Sequence, residues 1–170
     1  MELTAARARE LLEYSVVSGR VYRKIRTAPQ CPAGSLAGSL DYPSTGKPRL
    51  QITIDGRRYL LHRIIWLMVT GEWPERVIDH RNGDATNNSW LNLRDASRAV
   101  NSQNQRVWRF NKKHALPLGV TLVYPERIKP YRAAIHVKGR RLSLGFHATP
   151  EDAHAAYVMA KRAHHPGCEI

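Results

Sequence analysis

The chain has 170 residues, 42% of them hydrophobic, and carries a net charge of +13 with a pI near 10.3. That length builds one ordinary domain or two small ones with modest cores, and no run of about twenty apolar residues is present to form a transmembrane helix. The charge selects a polyanionic partner, nucleic acid before an acidic membrane, and positive residues outnumber negative ones both before and after position 111.

Thr4 is placed to cap a short helix over residues 5–12. Residues 14–17, a Ser18-Gly19 turn and residues 21–24 read as a hairpin. Residues 30–38, with Pro32, Gly34 and Gly38, form a loop, followed by a strand over 39–42 and a turn at Ser44-Thr45-Gly46. The next hairpin is clearer: residues 49–54 alternate, Asp55-Gly56 suits a type I′ turn, and residues 57–61 return. Arg23, Lys24, Arg26, Arg49, Arg57 and Arg58 on these hairpins make a platform for phosphate contact. Residues 63–70 are almost wholly apolar and are stopped by Gly71 and Pro74, so they read as a buried helix with Trp66 in the core. His62, at the start of that helix, is either a neighbour of the functional site or a satisfied helix-start imidazole.

Residues 77–106 carry the chemistry. Val77-Ile78 leads into Asp79-His80, Asn82-Gly83 signals a turn, Leu91-Asn92-Leu93 alternates as a second short strand should, and Ser97 caps a helix over 98–106. Strand, loop, strand and helix can gather Asp79, His80, Asn92 and Asn101 around one small space. Asp79 and the Asn101 carbonyl are hard oxygen ligands suited to Mg²⁺ or Mn²⁺. His80 is left as a general base, its tautomer fixed when the Asn92 carbonyl accepts the hydrogen of the other ring nitrogen. With Leu61-His62-Arg63, Gly71-Glu72-Trp73-Pro74 and Asn92-Leu93-Arg94, the pattern resembles the HNH nuclease family, in its phage and intron-homing branch with a ββα-metal site. The resemblance implies phosphodiester hydrolysis that leaves a 5′-phosphate and a 3′-hydroxyl. Asn101 stands where many members have a final His, which favours Mg²⁺ or Mn²⁺ over zinc.

Residues 107–114 lose both periodicities and gain charge, and residues 112–117 are expected to be a linker. Beyond it, strands are expected at 119–123, 131–137 and 141–146, the last two joined by a Lys138-Gly139 turn. Tyr131, Ala133, Ile135 and Val137, continued by Leu142 and Leu144, form an apolar face. Arg132, Ala134 and His136, joined by Arg141 and Ser143, form the other. Thr149, Pro150 and Asp152 open a closing helix whose stripe is Ala153, Ala156, Tyr157 and Ala160. Gly119-Val120, residues 131–135, Leu144-Gly145-Phe146 and the Ala-rich helix resemble the ethylene-response-factor (APETALA-type) DNA-binding domain. Tyr131 replaces the Trp common there. That resemblance implies a sheet in the major groove, with Arg132, His136, Lys138, Arg140 and Arg141 as the DNA-contacting side chains.

The expected architecture is therefore α+β: a nuclease domain with N-terminal hairpins over residues 1–111, the linker, and a three-stranded antiparallel sheet packed on one helix over 118–170. The expected function is a Mg²⁺-dependent homing or phage-type endonuclease acting on double-stranded DNA, with no membrane partner and an open oligomeric state. The alternative is a DNA-binding regulator that keeps an inactive nuclease fold; an RNA-processing role fits less well, because such a sheet suits a B-form major groove. The N-terminus has no apolar signal core, so the expected compartment is the cytoplasm. Cys31 and Cys168, far apart and without a Cys-x-x-Cys partner, read as reduced thiols.

Overall fold

The computed structural model describes residues 2–43, 48–104 and 116–168. The turn expected at 44–46, the end of the helix expected over 98–106, and most of the 112–117 linker lie outside them. The described residues form several small antiparallel sheets and four α-helices, grouped into two compact units that divide between Ser97 and Arg98. Among them, no helix is long and apolar enough to cross a membrane.

In the first unit, α1 (Ala5–Leu11) begins where the Thr4 hydroxyl accepts the Arg7 N–H at 3.2 Å. It leads directly into β1 (Leu12–Tyr14), which pairs with β2 (Val21–Arg23). The strands are shorter than the sequence suggests: Val16 and Val17, read as strand from their β-branching, are exposed in the connecting turn. A second sheet has the order β3 (Ser39–Asp41), β4 (Arg49–Ile54), β5 (Arg57–Leu60). Its β4–β5 turn has Asp55 at φ 47° and Gly56 at φ 76°, the two positive values a type I′ turn requires.

Helix α2 (Leu61–Thr70) starts two residues earlier than expected, so His62 is helical. It ends at Gly71, whose φ of 91° gives the left-handed C-terminal cap. The helix is amphipathic rather than buried all round: Leu61, Ile64, Ile65, Leu67 and Met68 enter the core, while Val69 is exposed and Trp66 is half-buried against Trp90. The α1 and α2 helices are stitched together by Arg9 Nε, which donates to Met68 O, and by Trp73 Nε1, which donates to Leu3 O. Strand β6 (Val77–His80) pairs with β7 (Leu93–Ala96). The expected second strand at Leu91-Asn92-Leu93 is instead a 3-10 turn over Trp90–Asn92, with the strand beginning only at Leu93.

In the second unit, α3 (Arg98–Gln103) precedes a sheet ordered β10 (Arg140–His147), β9 (Tyr131–Val137), β8 (Val120–Leu122), covered by α4 (Pro150–His164). Thr149 caps α4: its Oγ1 accepts the Asp152 N–H at 3.1 Å and donates to Asp152 Oδ2 at 2.7 Å. The core of this unit is small, with Val120, Ala133 and Ala153 surrounded by Tyr131, Leu144 and Ala156. Leu142, expected on the core face, is 44% exposed on edge strand β10, whose register slips between Ser143 and Phe146. Leu142 itself pairs in regular register with Ile135, so its exposure comes from its place on an edge strand, which has a neighbouring strand on one side only. Cys31 and Cys168 are both free thiols.

Candidate active site

Pairing of β6 with β7 sets Asp79 directly opposite Arg94 and His80 opposite Leu93. Asp79 and His80 are each only 6% exposed, so two adjacent polar side chains are buried at the end of one strand. Burial of this kind demands partners. Arg94 Nε and Nη2 both donate to Asp79 Oδ2, at 2.9 and 2.7 Å, in a pair of charge-assisted bonds that fixes the carboxylate.

His80 Nε2 lies 2.8 Å from Asn88 Oδ1. An amide oxygen only accepts, so Nε2 carries the hydrogen and Nδ1 carries the lone pair in the neutral ring. Burial lowers the His80 pKa below that of an ordinary histidine, while the Asn88 bond and the Asp79 and Asp84 carboxylates pull the other way. The ring is therefore neutral near pH 7, the state a general base needs. His62 meets it edge-on, ring centroids 5.1 Å apart at 86°. Burial first, then the charges of His80, Arg63 and Arg49, pushes the His62 pKa down to about 3. His62 Nδ1 is buried with no hydrogen-bond partner among the described residues.

The sequence reading gives Asn92 the role of acceptor for His80, but Asn88 occupies that position. Asn92 uses both ends of its amide to brace the loop: Oδ1 accepts the Asn82 N–H at 2.9 Å and Nδ2 donates to Asn87 O at 2.6 Å. The loop is further shaped by Asn82, Asp84 and Asn87, whose side-chain oxygens accept the N–H groups of Asp84, Thr86 and Ser89 two residues on. Asn88 had no signal of its own in sequence, because Asn87-Asn88-Ser89 has the composition of any turn. Asn101 lies half-buried on α3, in the second compact unit.

Residues 59–103 match the family model of the HNH endonuclease. The segment runs from β5 to α3 and contains His62, Asp79, His80, Asn88, Asn92, Arg94 and Asn101. It thus supports an HNH nuclease, a phosphodiester hydrolase for which DNA is the implied substrate. No curated protein and no solved structure matches the chain.

As for a metal, no three His, Cys, Asp or Glu side chains cluster in a binding geometry among the described residues. The buried carboxylate of Asp79, with one oxygen committed to Arg94, is a single hard ligand. A carboxylate oxygen is a hard donor of the kind a divalent cation takes.

In the second unit, Arg132 and His136 alternate on the face of β9 away from the Ala133 and Ile135 core, and Arg141 pairs opposite His136. Arg140, Arg141, His136 and Lys138 are exposed, while Arg132 is half-buried with Nε lacking a partner among the described residues. Lys138, His136 and Arg141 also line a pocket of about 310 Å³ together with Thr121 and His165.

Proposed function

We propose that the chain is a divalent-metal-dependent endonuclease that hydrolyses phosphodiester bonds of double-stranded DNA. The observation that carries the reading is His80 within the HNH segment, buried, neutral and held by Asn88 with its lone pair on Nδ1. His80 accepts the proton of the attacking water at Nδ1. Asp79, oriented by Arg94, holds the ion, Mg²⁺ or Mn²⁺; Asn101 joins it as a ligand on the strength of sequence spacing alone. When bound, the ion stabilises charge on the phosphate and on the leaving oxygen. Asn92 acts through the loop it braces. The expected products carry a 5′-phosphate and a 3′-hydroxyl.

The C-terminal unit is proposed to position the enzyme on DNA, in the manner its resemblance to the ethylene-response-factor domain implies. Arg132, His136, Lys138, Arg140 and Arg141 would contact bases and phosphates. The homing or phage-type role, the cytoplasmic setting and the division into a nuclease domain and a targeting domain belong to the same proposal.

The test is incubation of purified protein with supercoiled plasmid, with Mg²⁺ or with chelator. Nicking only with Mg²⁺ is expected, and His80→Ala should lower it by ~10²–10⁴-fold while leaving DNA binding intact. The rival reading, an inactive DNA-binding regulator, draws support from the two Arg94 bonds that occupy Asp79 Oδ2. Binding without nicking under every divalent ion would decide for it.

A further inference from the structure

The HNH match begins at residue 59, yet the residue that holds His80 is itself held by a part of the chain far upstream. Residues 87–89 have no regular secondary structure; locally, the Asn87 side chain accepts the Ser89 N–H and Asn92 Nδ2 donates to Asn87 O, on either side of Asn88. The end of β1 and the turn that follows it hold the segment at three further points. Tyr14 Oη donates to Asn88 O at 2.8 Å. Trp90 N donates to Val16 O at 3.2 Å. Gly19, at φ 71°, lies so close that a Cβ there would meet Asn88 O at 3.0 Å and overlap Asn88 C and Ser89 N outright. The close approach and the left-handed backbone both call for glycine. Asn88 is consequently 1% exposed, with its Oδ1 on His80 and its Nδ2 buried without a partner among the described residues.

An unpartnered buried amide hydrogen pair is costly, and a hydrophobic side chain would fill the same space without that cost. The feature an apolar residue cannot supply is the acceptor for Nε2–H. We infer that Asn88 is a positioning residue that selects the His80 tautomer, and that Tyr14 and Gly19 hold Asn88 in place, so that the N-terminal hairpin is a working part of the nuclease site. The inference rests on the nuclease reading for its consequence in rate, but not for its consequence in tautomer.

The experiment uses the whole chain in five forms: wild type, Tyr14→Phe, Asn88→Ala, Asn88→Asp and, for signal assignment, His80→Gln. Two quantities are read at one fixed pH. The first is the ¹⁵N chemical shifts of the His80 ring in histidine-labelled protein, identified by their loss in His80→Gln. The second is kcat and KM for Mg²⁺-dependent plasmid nicking. Wild type should show the hydrogen on Nε2. Asn88→Ala should show a tautomer mixture and a kcat lower by about ten- to a hundredfold, a part of the general-base contribution, with KM unchanged. Asn88→Asp, which keeps an acceptor oxygen, should restore the Nε2–H form and most of the rate. Tyr14→Phe removes one hydroxyl and should shift the tautomer partway, with a several-fold loss in kcat and an unchanged amide spectrum elsewhere. If Asn88→Ala keeps the pure Nε2–H form, or Tyr14→Phe leaves both quantities at wild-type values, the inference is overturned. If wild type shows no nicking at all, the nuclease reading fails instead, and the ring shifts still decide whether the hairpin positions His80.

Discussion

Gly119, just before β8, packs under the ring of Tyr157 from α4. A Cβ built on it would stand 2.7 Å from Cε2 and closer still to Cδ2 and Cγ, and its φ is 84°. Tyr157 is almost fully buried and stacks on His154, which bonds Leu118 O at 2.8 Å, so the ring has little room to retreat. Gly139, in the β9–β10 turn, has a similar φ of 79° but nothing within 4 Å of the same position. Alanine at either site therefore meets the left-handed backbone penalty of roughly 1–2 kcal/mol. Only Gly119→Ala adds the overpacking term, typically about 1–3 kcal/mol. Against a total stability of about 5 kcal/mol for a unit this small, that difference decides whether the C-terminal unit is folded. Amide hydrogen exchange of β9, compared with β4 as an internal reference, measures it. The expected result is near-complete loss of β9 protection in Gly119→Ala, modest loss in Gly139→Ala, and unchanged β4 protection in both. Equal effects of the two substitutions on β9 would refute the argument that the Tyr157 ring determines the choice of glycine.

The remaining predictions concern pH, capping and salt. The folded pKa of His62, near 3, lies below its ordinary value of 6.5, so below pH 6.5 the unfolded chain takes up a proton that the native state refuses. Stability should therefore fall with acidification at up to ~1.4 kcal/mol per pH unit, and His62→Gln should flatten the decline in urea midpoint between pH 6.5 and pH 5; a parallel decline would refute it. Thr149→Ala removes the hydroxyl that caps α4 and should cost about 1 kcal/mol, read as loss of α4 amide protection with no change in α2. Arg132→Ala with Arg141→Ala should weaken duplex binding and reduce the slope of log K against log salt, by about 0.9 for each phosphate that is no longer neutralised; an unchanged affinity and slope would remove this face from the DNA interface.

The elements most legible in the sequence were those governed by adjacent residues. Asp55-Gly56 specifies its turn through two positive φ values, and Thr149-Pro150 with Asp152 specifies a helix start, so β4–β5 appears within a residue of its expected limits and α4 begins at the expected residue. Asp79 and His80 were recognisable because their chemistry is unusual at the end of an apolar strand. Val16 and Val17 misled because β-branching marks strand preference, while the close packing of Gly19 on residues 88–89 imposes a turn. Leu91-Asn92-Leu93 misled for a related reason: alternation over three residues also fits a 3-10 turn that puts Leu91 in solvent. Asn88 could not be chosen over Asn82, Asn87 or Asn92, since all four are turn-formers and only the folded loop shows which one reaches the imidazole.

The Tyr14 to Asn88 bond spans 74 residues, and the Leu3 to Trp73 bond spans 70. During refolding, the β6–β7 hairpin and its side-chain turns close over short loops and form early, whereas the N-terminal segment must close loops several times longer. The difference in chain entropy is modest, but it orders the events. On that ordering, recovery of β6–β7 structure is expected to precede recovery of a fixed His80 ring, which waits for the hairpin that holds Asn88. During synthesis the order is reversed: residues 12–23 emerge before Asn88 and Trp90 and remain without that partner surface until those residues follow. A chaperone or protease that acts on the nascent chain would encounter Leu11, Leu12 and Val21, core residues in the finished protein, as an exposed apolar segment.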